Sequence, residues 1–199
     1  MISAQSLNAL YRAPGALPAS EPARPWLAVV TCMDGRVVPD RSLGVGARDV
    51  FVVRNAGGRV SNDALRSLIV ACEVKGVEEI VVIEHTDCAM VAMSDQQLRD
   101  AVRADLGVDA TLVEFLAIDD QDGCVRSDVA LLRSSPYIPG NVVVTGFVCD
   151  TDTGMLRLVE GDAGSRLPAA AMAPGAAAAA PVRARGGARF SLLPGVELL

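Results

Sequence analysis

Four short apolar runs punctuate the chain: Trp26-Leu27-Ala28-Val29-Val30-Thr31, Val50-Phe51-Val52-Val53, Ile80-Val81-Val82-Ile83, and Val142-Val143-Val144 leading into Phe147-Val148. A continuous run of this kind is the pattern of a strand buried on both faces. Between the runs the apolar period becomes helical. Ser61 or Asn62 can cap a helix carrying Leu65, Leu68, Ile69 and Cys72, which Gly76 stops. Ser94-Asp95-Gln96-Gln97 is a capping box opening a helix to about Leu106. Asp109 to Ala117 adds two apolar pairs, and Ser127 to Leu132 predicts one or two helical turns before Pro136. Buried strands alternating with helices predict an α/β domain, a mostly parallel central sheet flanked by helices.

The pattern fades at both ends. Residues 1–25 are rich in Pro, Ala and Ser and read as an N-terminal arm; residues 26–160 carry the α/β domain. Residues 161–199 form an Ala/Gly/Pro/Arg-rich, low-complexity tail with little to bury, expected to be loop or partly disordered, or a weak helix through Ala176–Ala180. There is no internal repeat.

Composition narrows the function. With 199 residues, 51% hydrophobic and 21% charged, the chain is not globally disordered. Its net charge of −6 argues against a nucleic-acid or anionic-membrane surface, which needs a positive field. No apolar run reaches the length of a membrane span, and the first residues lack the features of a secretory signal, so a cytoplasmic location is expected. Thiols stay reduced there. Five cysteines cannot form a complete disulfide framework within one chain, and one histidine excludes any mechanism needing two.

That histidine follows the third apolar run directly, in His85-Thr86-Asp87-Cys88, while the first run ends in Cys32-Met33-Asp34-Gly35-Arg36. Open parallel sheets bind ligands beyond the carboxyl ends of their strands. Cys32, His85 and Cys88 brought to that edge would offer two thiolates and an imidazole, a donor set suited to zinc with a fourth position left for water. Each signal alone is weak, since a cysteine after a strand is usually core; their shared position carries the reading. Asp34 and Arg36 stand two apart and can pair, either as a structural ion pair or to orient an acceptor toward zinc-activated water. Asn55, Ala56 and Gly57 follow the second run, where small residues allow close backbone approach to a small ligand or simply turn the chain. Cys72 and Cys149 read as packing, and Cys124, in the loop Asp122-Gly123-Cys124, as the thiol expected to be exposed.

Together these residues resemble the β-class carbonic anhydrases, specifically the compact prokaryotic branch that overlaps with hydrolases of carbonyl sulfide and carbon disulfide. The resemblance lies in C-x-D-x-R at Cys32, Asp34 and Arg36, R-N-A-G at Arg54 to Gly57, H-x-x-C at His85 and Cys88, and a closing hairpin at Gly146 to Gly154. It spans roughly Trp26 to Val159. It implies one zinc ion per chain on Cys32, His85 and Cys88, Asp34 and Arg36 as the catalytic dyad, and Asp34 as a fourth ligand in a closed, inactive state. It also implies a homodimer or larger homo-oligomer. Two positions depart from the family pattern: Glu84 where a glycine often precedes the histidine, and Ala89 where glycine follows the second cysteine.

The expected activity is reversible hydration of carbon dioxide to bicarbonate by water activated on zinc. The alternatives are hydrolysis of carbonyl sulfide or carbon disulfide at the same site, or a catalytically silent zinc-binding interaction protein. Two thiolates cancel the charge of zinc, so activity should rise toward alkaline pH. With its histidine on the metal, the chain has no imidazole left to shuttle protons, so turnover should depend on external buffer.

Overall fold

The computed structural model describes residues 25–168 and Ala171. The expected N-terminal arm and most of the expected tail, including Ala176–Ala180, lie outside the described residues. Among the described residues, five strands and four helices follow in the order β1 (Leu27–Cys32), α1 (Pro39–Leu43), β2 (Val50–Asn55), α2 (Asn62–Lys75), β3 (Glu79–His85), α3 (Asp95–Leu106), α4 (Gln121–Ser134), β4 (Val143–Cys149) and β5 (Leu156–Glu160).

The strands form one sheet in the order β2-β1-β3-β4-β5. The first four are parallel, and β5 returns antiparallel beside β4. The chain leaves β1 to form β2 on one side, then crosses back to form β3 on the other. The crevice at the carboxyl ends of β1 and β3 is therefore the point where connections diverge, the position at which open α/β sheets take their ligands.

Alternate residues of the central strands feed two cores. Ala28, Val30, Ile80, Val82 and Val144 meet Leu68 of α2 and Val125, Val129 and Leu132 of α4. Leu27, Val29, Val81, Ile83 and Phe147 meet Val37, Leu43, Leu167 and Ala171 on the opposite face. Each fully buried Val, Leu or Ile contributes roughly 1.5–3 kcal/mol relative to exposure. Part of residues 161–168 thus seals the second face. Ser165 Oγ (2.5 Å) and the Arg166 N–H (2.9 Å) donate to the buried Glu79 carboxylate at the start of β3.

The capping box at Ser94 and Gln97 and the Ser61 cap of α2 form as the sequence predicts. Four expectations are corrected. The second run, β2, is an edge strand: Phe51 and Val53 pack toward α2, but Val52 on the other face is 40% exposed. The turns expected at 127–132 extend into α4, fourteen residues long. Gly146 allows this, since a Cβ there would lie 2.4 Å from Val125 and 2.9 Å from Val129, so α4 closes onto bare backbone. Cys124 is buried, not exposed, packed with Cys32, Cys88 and Ile118. Residues 109–117 form loop instead of helix. The Asp95 carboxylate accepts N–H bonds from Phe115 (3.3 Å) and Ala117 (2.8 Å), tying that loop to the start of α3. Among the described residues, no helix is long and apolar enough to cross a membrane.

Candidate metal centre

Cys32 is the last residue of β1, His85 the last of β3, and Cys88 follows three residues later. The structure brings all three together: one potential ligand atom from each lies within 4.8 Å of the others. All are buried, at 5%, 1% and 5% exposure. The sulfurs stand 4.0 Å apart and form no disulfide. Two thiolates at about 2.3 Å from a tetrahedral zinc would be separated by about 3.8 Å, so the pair is spaced for such an ion.

The imidazole supplies the second test of fit. His85 Nδ1 lies 2.8 Å from the Thr86 carbonyl oxygen. A carbonyl only accepts, so Nδ1 carries the proton and Nε2 keeps its lone pair. Nε2 is buried and has no hydrogen-bond partner within the protein. Burial, together with the neighbouring Cys32, pushes the Cys88 thiol up to about 12. An unsatisfied nitrogen beside two buried thiols is a donor set completed by a soft divalent cation, whose binding would release thiol protons.

Backbone holds this corner. Gly58 takes φ +72°, and a Cβ there would sit 2.7 Å from Cys32 N and 3.0 Å from Ile83 O. Only glycine lets the loop after β2 lie against the ends of β1 and β3. The Asn55 amide shapes that loop by donating to Arg59 O (2.7 Å) and accepting from Arg59 N (3.0 Å). The Arg54 guanidinium donates to Cys32 O (2.8 Å) and Val37 O (2.9 Å), clamping the turn that carries Asp34 and Arg36. Gln121 Nε2 donates to the His85 carbonyl.

Asp34 and Arg36 pair as their spacing predicts. Arg36 donates from Nη2 to Asp34 Oδ2 (2.7 Å), from Nε to both oxygens (3.1 Å each) and from its backbone N–H to Oδ1 (2.9 Å). The side-chain bond from Arg36, with the backbone one, lowers the Asp34 carboxyl to about 2. Asp34 is thus a carboxylate at any working pH, and its oxygens are engaged by Arg36; it is not among the three clustered donors. Arg36 also donates to Asp87 O (3.2 Å) and Thr151 Oγ1 (3.4 Å). The sequence around Thr86, Thr151, Arg54 and Gln121 carries no signal of these roles, because nothing local shows which distant groups their polar atoms reach.

The two departures behave differently. Ala89 is exposed and lies in a short 3₁₀ turn without positive φ, so its backbone needs no glycine. Glu84 is fully buried with both carboxylate oxygens lacking hydrogen bonds, 3.8 Å from Arg59, which pairs with Asp128 at 2.8 Å. Burial pushes Glu84 up to about 8, against the pull of Arg59. Ala56 and Gly57 begin a 3₁₀ turn, and Gly57 sits against Met90 and Ile118. An open cleft of about 410 Å³ lies beside the cluster, between Val91–Gln97 and Ala117–Asp119, and none of the three clustered donors lines it.

The carbonic anhydrase family model matches residues 27–118, a stretch that contains every residue of the clustered donors and the dyad. Beta-carbonic anhydrase 1 of Mycobacterium tuberculosis is 32% identical over 142 residues, covering 71% of this chain and 86% of that protein. The chain belongs to the β-carbonic anhydrase family. As a β-carbonic anhydrase family member it is an enzyme of the lyase type. The crystal structure of carbonic anhydrase from Streptococcus mutans superposes with a TM-score of 0.70 at 38% identity, covering 78% of this chain and 92% of that one. The family also includes relatives with another name: a carbon disulfide hydrolase of Acidithiobacillus thiooxidans is 34% identical over 152 residues, 66% of this chain and 75% of its own length.

Proposed function

We propose that the chain catalyses reversible hydration of carbon dioxide to bicarbonate at one zinc ion held by Cys32 Sγ, His85 Nε2 and Cys88 Sγ. The observation that carries this reading is the buried, unpartnered Nε2 beside two thiols at the carboxyl ends of β1 and β3. Zinc bound there supplies a Lewis acid that brings the pKa of water toward neutrality.

Asp34 accepts a hydrogen bond from the attacking water and so aims its lone pair at the substrate carbon. Held ionised by Arg36, it remains an acceptor and does not take the proton at neutral pH. Arg36 keeps both Asp34 oxygens in one orientation. Thr86 O holds the Nδ1 proton of His85, which presents Nε2 as donor. Because His85 is spent as a ligand, the released proton leaves through solvent buffer. Asn55, Ala56 and Gly57 form the turn behind the substrate site, with Asn55 shaping it through Arg59.

Hydrolysis of carbon disulfide or carbonyl sulfide is the second reading, favoured by the similarity to the carbon disulfide hydrolase. The Asp34–Arg36 pairing supports an active site over a silent zinc-binding role, since Arg36 engages both Asp34 oxygens. A homodimer is part of the proposal; α3 buries no residue within one chain, and Leu106 at its end, with Val108 and Leu112 just after it, is exposed. A cytoplasmic location accords with free thiols throughout. Zinc-loaded protein assayed against carbon dioxide, carbonyl sulfide and carbon disulfide tests the reading: carbon dioxide should have the largest kcat/KM, and hydrogen sulfide release without carbon dioxide hydration would replace it with the second.

A further inference from the structure

Arg36 is the weak point of the dyad. Its side chain is 46% exposed, and a long guanidinium arm in water is loosely held by one ion pair. Its two other bonds reach loops beyond its own turn. One goes to Asp87 O, on a residue held at φ 54° between the two ligands His85 and Cys88. The other goes to the hydroxyl of Thr151, at the tip of the β4–β5 hairpin and outside the residues matched by the family model.

That tip is a firm anchor. Asp150 Oδ1 accepts from the N–H groups of Asp152 (3.0 Å) and Thr153 (2.9 Å) and from Thr153 Oγ1 (3.0 Å). The Thr151 N–H donates to Thr86 Oγ1 at 3.0 Å, and the two threonine hydroxyls lie 3.0 Å apart. The protons can be assigned throughout. Thr86 Oγ1 accepts the Thr151 N–H and gives its own proton to Thr151 Oγ1. Thr151 Oγ1 accepts that proton and one from Arg36 Nη1, and gives its own to Thr86 O at 3.4 Å. Thr86 O is also the acceptor of the His85 Nδ1 proton.

We infer that Thr151 is a positioning residue for the Asp34–Arg36 dyad: its hydroxyl ties the Arg36 guanidinium to the carbonyl that orients His85. One side chain thereby sets the dyad in register with the metal centre. Thr151 touches neither substrate nor reacting atoms; it acts through Arg36. The inference rests on the hydration reading for its kinetic arm only.

The test compares full-length wild type, Thr151→Val and Thr151→Ser. Valine keeps the shape and removes the hydroxyl; serine keeps the hydroxyl. In zinc-loaded protein, Thr151→Val should lower kcat about tenfold, the effect of losing one hydrogen bond to a charged group, with KM changed less than about twofold. Zinc content should stay at that of wild type, and Thr151→Ser should restore kcat to within about twofold. Wild-type kcat in Thr151→Val, or loss in Thr151→Ser equal to that in valine, overturns the inference. The second arm needs neither zinc nor turnover. In metal-free protein, nitrogen relaxation at Arg36 Nε should show a less ordered side chain in Thr151→Val and wild-type order in Thr151→Ser. Unchanged order in valine overturns the inference. If wild type fails to hydrate carbon dioxide, the hydration reading falls, and the Arg36 measurement decides the role of Thr151 alone.

Discussion

Cys32, His85 and Cys88 are at most 5% exposed, and their main chain is fixed by two strand ends, by a glycine backbone against Cys32 N, and by guanidinium and amide clamps on the Cys32 and His85 carbonyls. Asp34 and Arg36, two and four residues after Cys32, are 27% and 46% exposed at the side chain and hold each other through side-chain bonds. The three clustered donors are held by the fold; Asp34 and Arg36 are held by polar contacts that water can compete for. Metal retention and turnover should therefore fail separately.

The largest effect falls on the buried side. Cys88→Ser should reduce bound zinc from about one per chain to near none after dialysis, since a serine hydroxyl is a poor zinc donor; full retention, read by elemental analysis, would remove Cys88 from the ligand set. Asp34→Asn is the converse. It should retain zinc while losing about 100-fold or more in kcat, because a neutral amide no longer orients water as the carboxylate does.

Gly58→Ala shows whether backbone approach holds the corner. A methyl group 2.7 Å from Cys32 N, on a residue at φ +72°, should cost about 2 kcal/mol or more in denaturant unfolding and weaken zinc binding with it. The smallest effect lies away from both halves and serves as a control. Arg157 holds the Asp122 carboxyl below its ordinary value, across from α4 to β5. A depressed carboxyl stabilises the fold above the unfolded pKa of about 4, and that contribution disappears as pH falls through the lower folded value. The stability gap between wild type and Asp122→Asn should therefore be widest near neutrality and close below about pH 4, with zinc content at neutral pH unchanged.

The sequence revealed the buried half far better than the exposed half. Continuous Val/Ile runs ending in Cys32 and beside His85 locate strand ends and donors together, because strand burial and ligand position share one local signal. The pairing of Asp34 with Arg36 was also legible, being two residues apart. What encloses them was not. Thr151 meets Arg36 only because β4 pairs with β3 in a register that sets Cys149 opposite His85, a long-range fact with no local trace. The length of α4 was hidden for a similar reason: Asp122-Gly123-Cys124 reads as loop, while the room at Gly146 that lets the helix pack is coded 23 residues later. Residues 109–117 carry apolar pairs at helical spacing, yet the Asp95 carboxylate takes their N–H groups and holds them as loop.

The central claim is that these three donors hold the zinc at which carbon dioxide is hydrated. Metal-free protein titrated with zinc, with carbon dioxide hydration followed by stopped-flow at each step, measures this directly. The account predicts a rate that climbs linearly and levels at one zinc per chain. A chain that takes up one zinc and leaves the hydration rate at the uncatalysed value would contradict it.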